Sequence, residues 1–266
     1  MNPDAPKPFT AHLDELRRRI IRAAVVVLIV TFASYGLLYD TLKPILSGPL
    51  EALNPDSTNP FARYNPVVRH LRATFSAEGV PQKLDLHAQN LTEVFMVKFK
   101  IALLAGAVIS APYVLYQAWA FIGTGLLPRE RRVVRRCVPL SVVLFLTGVA
   151  FGYFIAVPAA VLFLVSVDPQ IKYVLMYGQY FGTVVRLLLL FGVAFQMPLV
   201  AMILTRTGLM TAKDLAAKRR YAIVLIFAAS ALLTPPDPFS QCLLAIPMIA
   251  LYELGVQLAR RMDPSC

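Results

Sequence analysis

Charge is what this chain has least of. Asp, Glu, Lys and Arg make up only 15% of its 266 residues, whereas a water-soluble chain carries roughly a quarter. Hydrophobic residues reach 58%, too much for a disordered chain and too much for a globule of this size to cover with polar surface. A multi-spanning membrane protein is the class that remains. Cysteine is equally scarce. Cys137, Cys242 and Cys266 are too few and too scattered for a disulfide scaffold. His12, His70 and His87 are no closer together, no stretch has metal-ligand spacing, and no metal is expected. The chain also lacks a Gly-rich phosphate loop and an internal repeat. No Ser–His pair, carboxylate pair or His-rich cluster falls on one membrane face, which argues against an enzyme.

What is present is apolar sequence in long runs. Crossing about 30 Å of hydrocarbon takes about 20 residues of helix at 1.5 Å each. Runs of that kind cover residues 20–39, 94–122, 138–164 and 180–204, and two shorter ones cover 221–233 and 239–256. The expected fold is an all-α membrane protein with six transmembrane helices, the last two short. The first run is too long for a signal peptide, and Tyr39-Asp40 is no cleavage site. Residues 40–93 form a long connecting loop, in which Pro44, Pro49, Pro60, Pro66 and Pro81 predict short capped helices and irregular chain. Pro112, Pro139, Pro158, Pro198 and Pro247 lie in or near spans and bend them, which favours a curved, concave bundle. Gly148-x-x-x-Gly152 allows another helix to approach closely, and packing within the chain is the preferred use.

The basic residues set the orientation. Seventeen Lys and Arg lie at the N-terminus, in the connections after the second and fourth spans, and at the C-terminus; eight lie on the other side, mostly spread through the long loop. The positive-inside rule then puts both termini in the cytoplasm and residues 40–93 outside. It also accounts for the +11 net charge without nucleic acid as a partner.

Two cytoplasmic segments carry candidate chemistry. In Phe9-Thr10-Ala11-His12-Leu13-Asp14-Glu15-Leu16-Arg17-Arg18-Arg19, Leu13, Leu16 and Ile20 follow the helical period and Thr10 can cap it. Glu15 has two readings. It can pair with Arg19 one turn on, or it can be displayed among cations to receive a basic peptide. In the second segment, Trp119 and Phe121 suit an interfacial aromatic belt. Glu130 is the lone acid beside five arginines, where local charge compensation is its simplest role.

His12-Leu13-Asp14-Glu15-Leu16-Arg17-Arg18-Arg19 resembles the N-terminal signature of the TatC family, core subunits of the twin-arginine protein translocase. The similarity continues through Ser110-Ala111-Pro112, Tyr116 to Phe121, Arg129-Glu130-Arg131-Arg132 and Phe191-Gly192-Val193-Ala194-Phe195-Gln196-Met197-Pro198. It ends with Lys218-Arg219-Arg220-Tyr221, Leu233-Thr234-Pro235-Pro236-Asp237-Pro238-Phe239-Ser240-Gln241 and Ala245-Ile246-Pro247-Met248. No single motif is decisive, but the ordered set across all six spans is very specific. The loop from 51 to 92 is longer than usual and carries little resemblance.

The resemblance implies recognition of twin-arginine signal peptides on folded substrates and assembly with TatA- and TatB-type single-span partners and further copies of itself. Transport would be driven by the proton gradient, with no cofactor, in the bacterial inner membrane and its lipid. It implies that Glu15 and Glu130 receive the two signal arginines and that Arg17 and Phe121 support them. Pro49 and Asp237 match family positions on the periplasmic side, and Gln241 lies on that side too. Gln196 stands where the family commonly has Glu, and Arg186 is a second oddity, in the periplasmic half of the fourth span.

Gln196 has apolar flanks, so its amide needs a partner on another helix or in a water-filled hollow. Pro198 frees a carbonyl one turn earlier that could serve. The other use, implied by the resemblance, is a polar spot for a partner's helix. Gln has no proton to release near neutral pH, which excludes a proton-carrier role here. A secondary transporter is the runner-up function. It would need midplane charges and commonly a repeat, and the chain offers Gln196, an uncharged amide, and no repeat.

Overall fold

The structure, a computed structural model, describes the backbone of residues 9–51, 65, 86–124, 128–166, 174–233 and 238–262. It describes their side chains except those of 9–12, 128–136, 166, 232–233, 238–240 and 262. The elements run α1 (Phe9–Leu37), α2 (Tyr39–Glu51), β1 (Leu86–His87), α3 (Leu91–Thr124) and α4 (Pro128–Phe151). A π turn (Gly152–Ala156) leads into α5 (Val157–Ser166), followed by β2 (Leu175–Met176), α6 (Tyr177–Ala194), α7 (Met197–Arg206), α8 (Ala212–Ala217), α9 (Arg219–Leu233) and α10 (Pro238–Met262). The strands form one short parallel pair, Leu86 opposite Leu175 and His87 opposite Met176.

Among the described residues, five helical stretches are long and apolar enough to cross a membrane: Leu13–Leu37, Leu91–Thr124, Cys137–Val165, Tyr177–Arg206 and Gln241–Arg261. The expected fifth span, α9, has 15 residues, about 22 Å of helix against about 30 Å of hydrocarbon. The last helix is not short. α10 continues past 256, where the apolar run ends, because Val256 and Ala259 pack at zero exposure against Ala201, Ala212 and Leu215.

Burial is inverted relative to a soluble protein. On α1, Thr31 is fully buried and Ser34 nearly so, while Ile29 is 63% and Phe32 70% exposed. The small polar face thus packs inward and the apolar face outward. That arrangement is favourable only where the outer solvent is lipid, because helix association there relies on close contact of small residues. Thr31 meets Gly106 of α3 so closely that a Cβ at Gly106 would stand 2.2 Å from its hydroxyl. Ser110, Thr205 and Ser230 are also buried, and each donates to the carbonyl four residues back in its own helix.

α6 is the central helix. Phe181 and Phe191 are fully buried, and Val184 and Leu188 are nearly so. It packs on α4 through facing glycines. A Cβ at Gly148 would lie 2.4 Å from the Phe191 carbonyl oxygen, and one at Gly192 would lie 2.7 Å from the Phe145 ring. Gly152 faces Leu188 in the same seam. The Gly148-x-x-x-Gly152 pattern therefore serves contact within the chain.

Prolines create the bends, and distant side chains repair them. A proline leaves the carbonyl four residues earlier without its helical donor. Pro158 follows the π turn, and the freed Phe154 carbonyl receives Asn65 Nδ2 at 3.2 Å. Pro49 frees the Ile45 carbonyl, which receives the Tyr153 hydroxyl at 2.5 Å. Tyr180 donates to the neighbouring Leu46 carbonyl at 3.0 Å. Helix α2 is thus held on the bundle by two tyrosines. Nearby, Glu93 accepts the backbone N–H groups of Gln89 at 2.6 Å and Gly178 at 2.5 Å. It ties the start of α3 to the N-terminal turn of α6, where unpaired N–H groups favour an anion. The fourth span breaks at Phe195–Gln196, one residue ahead of Met197-Pro198. Thr211 and Asp214 cap α8 reciprocally, and Gly208 makes the preceding turn at φ +69°.

The glycine seam yields a prediction in which sign matters. Gly→Ala in a helix ordinarily gains stability by restricting the unfolded chain. Gly148→Ala should instead destabilise by about 1–3 kcal/mol through overpacking. Gly36→Ala, with nothing within 4 Å of the new Cβ, should be neutral or stabilising. Thermal unfolding of both variants in detergent checks the contrast.

Candidate functional site

α1, α3 and α4 bring Glu15, Arg17, Phe121 and the backbone of Glu130 to the end of the bundle where α1 begins. Glu15 lies one turn before Arg19 on α1. Its Oε1 accepts Arg19 Nη2 at 2.7 Å and Nε at 3.2 Å. The side chains are 24% and 21% exposed respectively, so the pair is partly shielded yet open to the surface. Arg19 also spans two helices: Nη1 donates to Oε1 of Gln117, a buried residue of α3, at 3.2 Å. The i,i+4 pairing expected for Glu15 is therefore present, and it is a clasp between helices as well as a local pair. Such a pair contributes only about 0.3–0.5 kcal/mol when solvent-exposed.

The remaining candidates distribute as follows. Arg17 is exposed on α1 and Phe121 is half-buried on α3, one turn beyond Gln117. Glu130 lies in the first turn of α4, and its side chain falls outside the described residues. Asp237 lies outside them entirely. Pro49 is buried in α2 on the opposite face. Gln241 Nε2 donates to the Phe227 carbonyl at 2.9 Å, closing the α9–α10 hairpin. Pro49 and Gln241 thus serve two different joints. Arg219 of α9 pairs with Glu253 of α10 at the other end of that hairpin.

Trp119 differs from the expected belt aromatic. It is 4% exposed, and its indole Nε1 donates to Ser141 Oγ of α4 at 2.9 Å. Ser141 Oγ in turn donates to Gln196 Oε1 at 2.5 Å, and Gln196 Nε2 donates back to the Ser141 carbonyl at 3.0 Å. The amide thus has its partner on another helix, and that partner is Ser141 rather than the carbonyl freed by Pro198. Three elements meet in this polar clasp: α3, α4 and the break between α6 and α7. Cys137, Leu199, Met202 and Ile203 pack around Trp119. Ser141 was not singled out from sequence. A serine inside an apolar run is the only signal it offers, and serines bonded within their own helix give the same signal.

The chain matches a family model described as "Sec-independent protein translocase protein (TatC)" over residues 11–247. It is 35% identical to the Sec-independent protein translocase protein TatC of Azotobacter chroococcum, with 97% of this chain and 91% of that protein aligned. It is 32% identical to the TatC of Escherichia coli K12, over 98% of this chain and 91% of that one. Against the crystal structure of a twin-arginine translocase receptor TatC, the TM-score is 0.76 at 30% identity, covering 94% of this chain and 99% of that chain.

The Trp119–Ser141–Gln196 clasp can be read directly, because Trp119 is the only tryptophan. Ser141→Ala removes the acceptor of the indole N–H and should shift intrinsic emission. Gln196→Leu, which leaves the indole bond in place, should not. Each should cost about 0.6–1.7 kcal/mol, the range for interhelical hydrogen bonds in membranes. Emission spectra and thermal unfolding of the purified variants check both.

Proposed function

Because the chain belongs to the TatC family of Sec-independent protein translocase proteins, we propose that its N-terminal basic face is the receptor for twin-arginine signal peptides. The protein is a multi-pass membrane subunit of the twin-arginine translocase. Its task is transport of proteins, not catalysis. The observation that carries the receptor reading is Glu15, held by Arg19 against Gln117 at the junction of α1 and α3.

Chemistry supports that reading. Glu15 already binds a guanidinium, that of its i,i+4 neighbour Arg19, which keeps Gln117 as a second partner. An incoming signal arginine exchanges with Arg19 at small cost. It gains a charge-assisted bond of roughly 1.5–3 kcal/mol where the bidentate geometry is better. Glu130, in the first turn of α4, takes the second arginine, with Arg17 and Phe121 lining the approach. A non-basic peptide would meet the surrounding cations without compensation, so the site discriminates by repulsion as well as attraction.

The rest of the reading concerns setting. The protein lies in the bacterial inner membrane with six spans and both termini cytoplasmic, α9 being the short fifth. The positive-inside distribution and the proline-bent helices support that curved six-span arrangement. TatA- and TatB-type single-span proteins and further copies of the chain are its partners, and the proton gradient drives export. Gln196, bonded to Ser141 yet half-exposed, offers a polar contact for a partner helix, while Pro49, Asp237 and Gln241 belong to the periplasmic side.

Two measurements test this. Glu15→Ala and Glu130→Ala should each weaken binding of an Arg-Arg peptide about tenfold, equivalent to about 1.4 kcal/mol. The two effects should be non-additive because one dipeptide bridges both. A Lys-Lys peptide should bind less tightly than Arg-Arg, since an ammonium lacks the planar fork. Titration of labelled peptides into nanodisc-embedded protein reads all of these, and full affinity in the double variant would reject the site. For topology, cysteines placed at Asn90 and Thr124 should react with an impermeant reagent from opposite sides of the membrane.

A further inference from the structure

Two cations sit together on the opposite half of the bundle, away from the receptor face. Lys100 is the tenth residue of α3 and Arg186 the tenth of α6, the two helices joined at their starts by Glu93. Both side chains converge on Gly182. A Cβ there would lie 3.2 Å from Lys100 Nζ and 3.7 Å from an Arg186 terminal nitrogen. The two cations are therefore within about 7 Å of each other, a separation at which like charges repel. Arg186 Nε donates back to the Gly182 carbonyl at 3.0 Å, so the guanidinium leans one turn toward the start of α6. The cations thus lie about 8 Å along α6 from its first residue, by the standard helical rise.

This is snorkelling geometry, with long side chains on apolar helices directing charge toward the nearer interface. Neither cation has a carboxylate within ion-pair distance among the described residues; Glu93 feels the Lys100 charge, but its oxygens are bonded to the Gln89 and Gly178 N–H groups. Arg186 is exposed and Lys100 half-buried; on α6 the exposed residues two turns away on the same face are apolar Val193 on one side and polar Gln179 toward the helix start. Two cations this close repel, and an anion between them relieves the repulsion. The group that reaches this depth from the interface is the phosphate of a lipid headgroup. It carries the charge, and its oxygens match a guanidinium fork beside an ammonium. We propose that Lys100 and Arg186, with Gly182 leaving space between them, form a binding site for the phosphate of an anionic phospholipid in the leaflet opposite the receptor face.

The test uses the full chain in nanodiscs. Wild-type protein in phosphatidylglycerol should retain at least one more lipid, by native mass spectrometry, than K100Q/R186Q. The rise in apparent Tm on replacing phosphatidylcholine by phosphatidylglycerol should fall by about half or more in that variant. The basic receptor face is unchanged between them, so lipids held there cancel. K100R and R186K keep both charges and should retain the lipid, which guards against a double variant that folds poorly. Equal lipid retention in wild type and K100Q/R186Q would overturn the site. Stabilisation of the wild type by inorganic phosphate in phosphatidylcholine discs, matching that by phosphatidylglycerol, would overturn lipid as the source. Loss of a crosslinked single-span partner with lipid retention unchanged would assign the cations to that partner's acidic group instead.

Discussion

A polar group inside hydrocarbon has no water to fall back on, and much of the architecture of this protein follows from where such groups find partners. Every proline that bends a helix exposes a carbonyl, and a buried carbonyl without a donor is costly. Tyr153 answers for the carbonyl freed by Pro49, and Asn65 answers for the one freed by Pro158. Each repair joins elements that the chain itself does not connect. The bends and the tertiary contacts are therefore one feature: the proline supplies the acceptor, and the fold is arranged to bring a donor to it.

The same constraint makes α3 the organising strut. Its start holds Glu93, whose carboxylate satisfies the first turn of α6. Its far end holds Gln117 and Trp119, two residues apart and bonded in different directions. Gln117 receives the guanidinium that Glu15 binds, and Trp119 reaches Ser141 and, through it, Gln196. The Glu15–Arg19–Gln117 clasp and the intramembrane amide thus hang from a single helical turn. Between these ends Lys98 lies over the Tyr35 ring of α1, and Gly106 against Thr31 supplies closeness. That suits a medium in which lipid competes equally well for apolar surface.

Where charge is left over, it marks function. Arg19 is occupied by Glu15 and Gln117, Arg219 by Glu253, and Lys98 lies over the Tyr35 and Tyr39 rings at 4.8 and 4.9 Å. Lys100 and Arg186 lie near each other, with a backbone carbonyl for Arg186 and the charge of Glu93, already bonded to the start of α6, within reach of Lys100. Two sites of opposite sign therefore lie toward opposite faces. On the proposed reading, Glu15 exchanges Arg19 for a cationic peptide on the side where α1 begins, and the two cations take an anionic headgroup on the other.

Much of this was legible in the chain before any coordinates. Scarce charge and long apolar runs require a helical membrane protein, because only helices satisfy their own backbone within a short segment. Clustered arginines predict its sidedness, and an ordered series of motifs points to its family. The i,i+4 spacing of Glu15 and Arg19 likewise makes their pairing a local matter. The partners of isolated polar residues are not local. Tyr153 and Ile45 are 108 positions apart, Asn65 and Phe154 are 89 apart, and Ser141 and Gln196 are 55 apart. Trp119 looked interfacial because its ring suits either a headgroup or a core, and only a hydroxyl arriving from α4 made burial affordable. Helical period and hydropathy are properties of neighbours along the chain. A hydrogen bond between helices depends on how those helices dock, and that was decided by the glycine seams and proline breaks acting together in three dimensions.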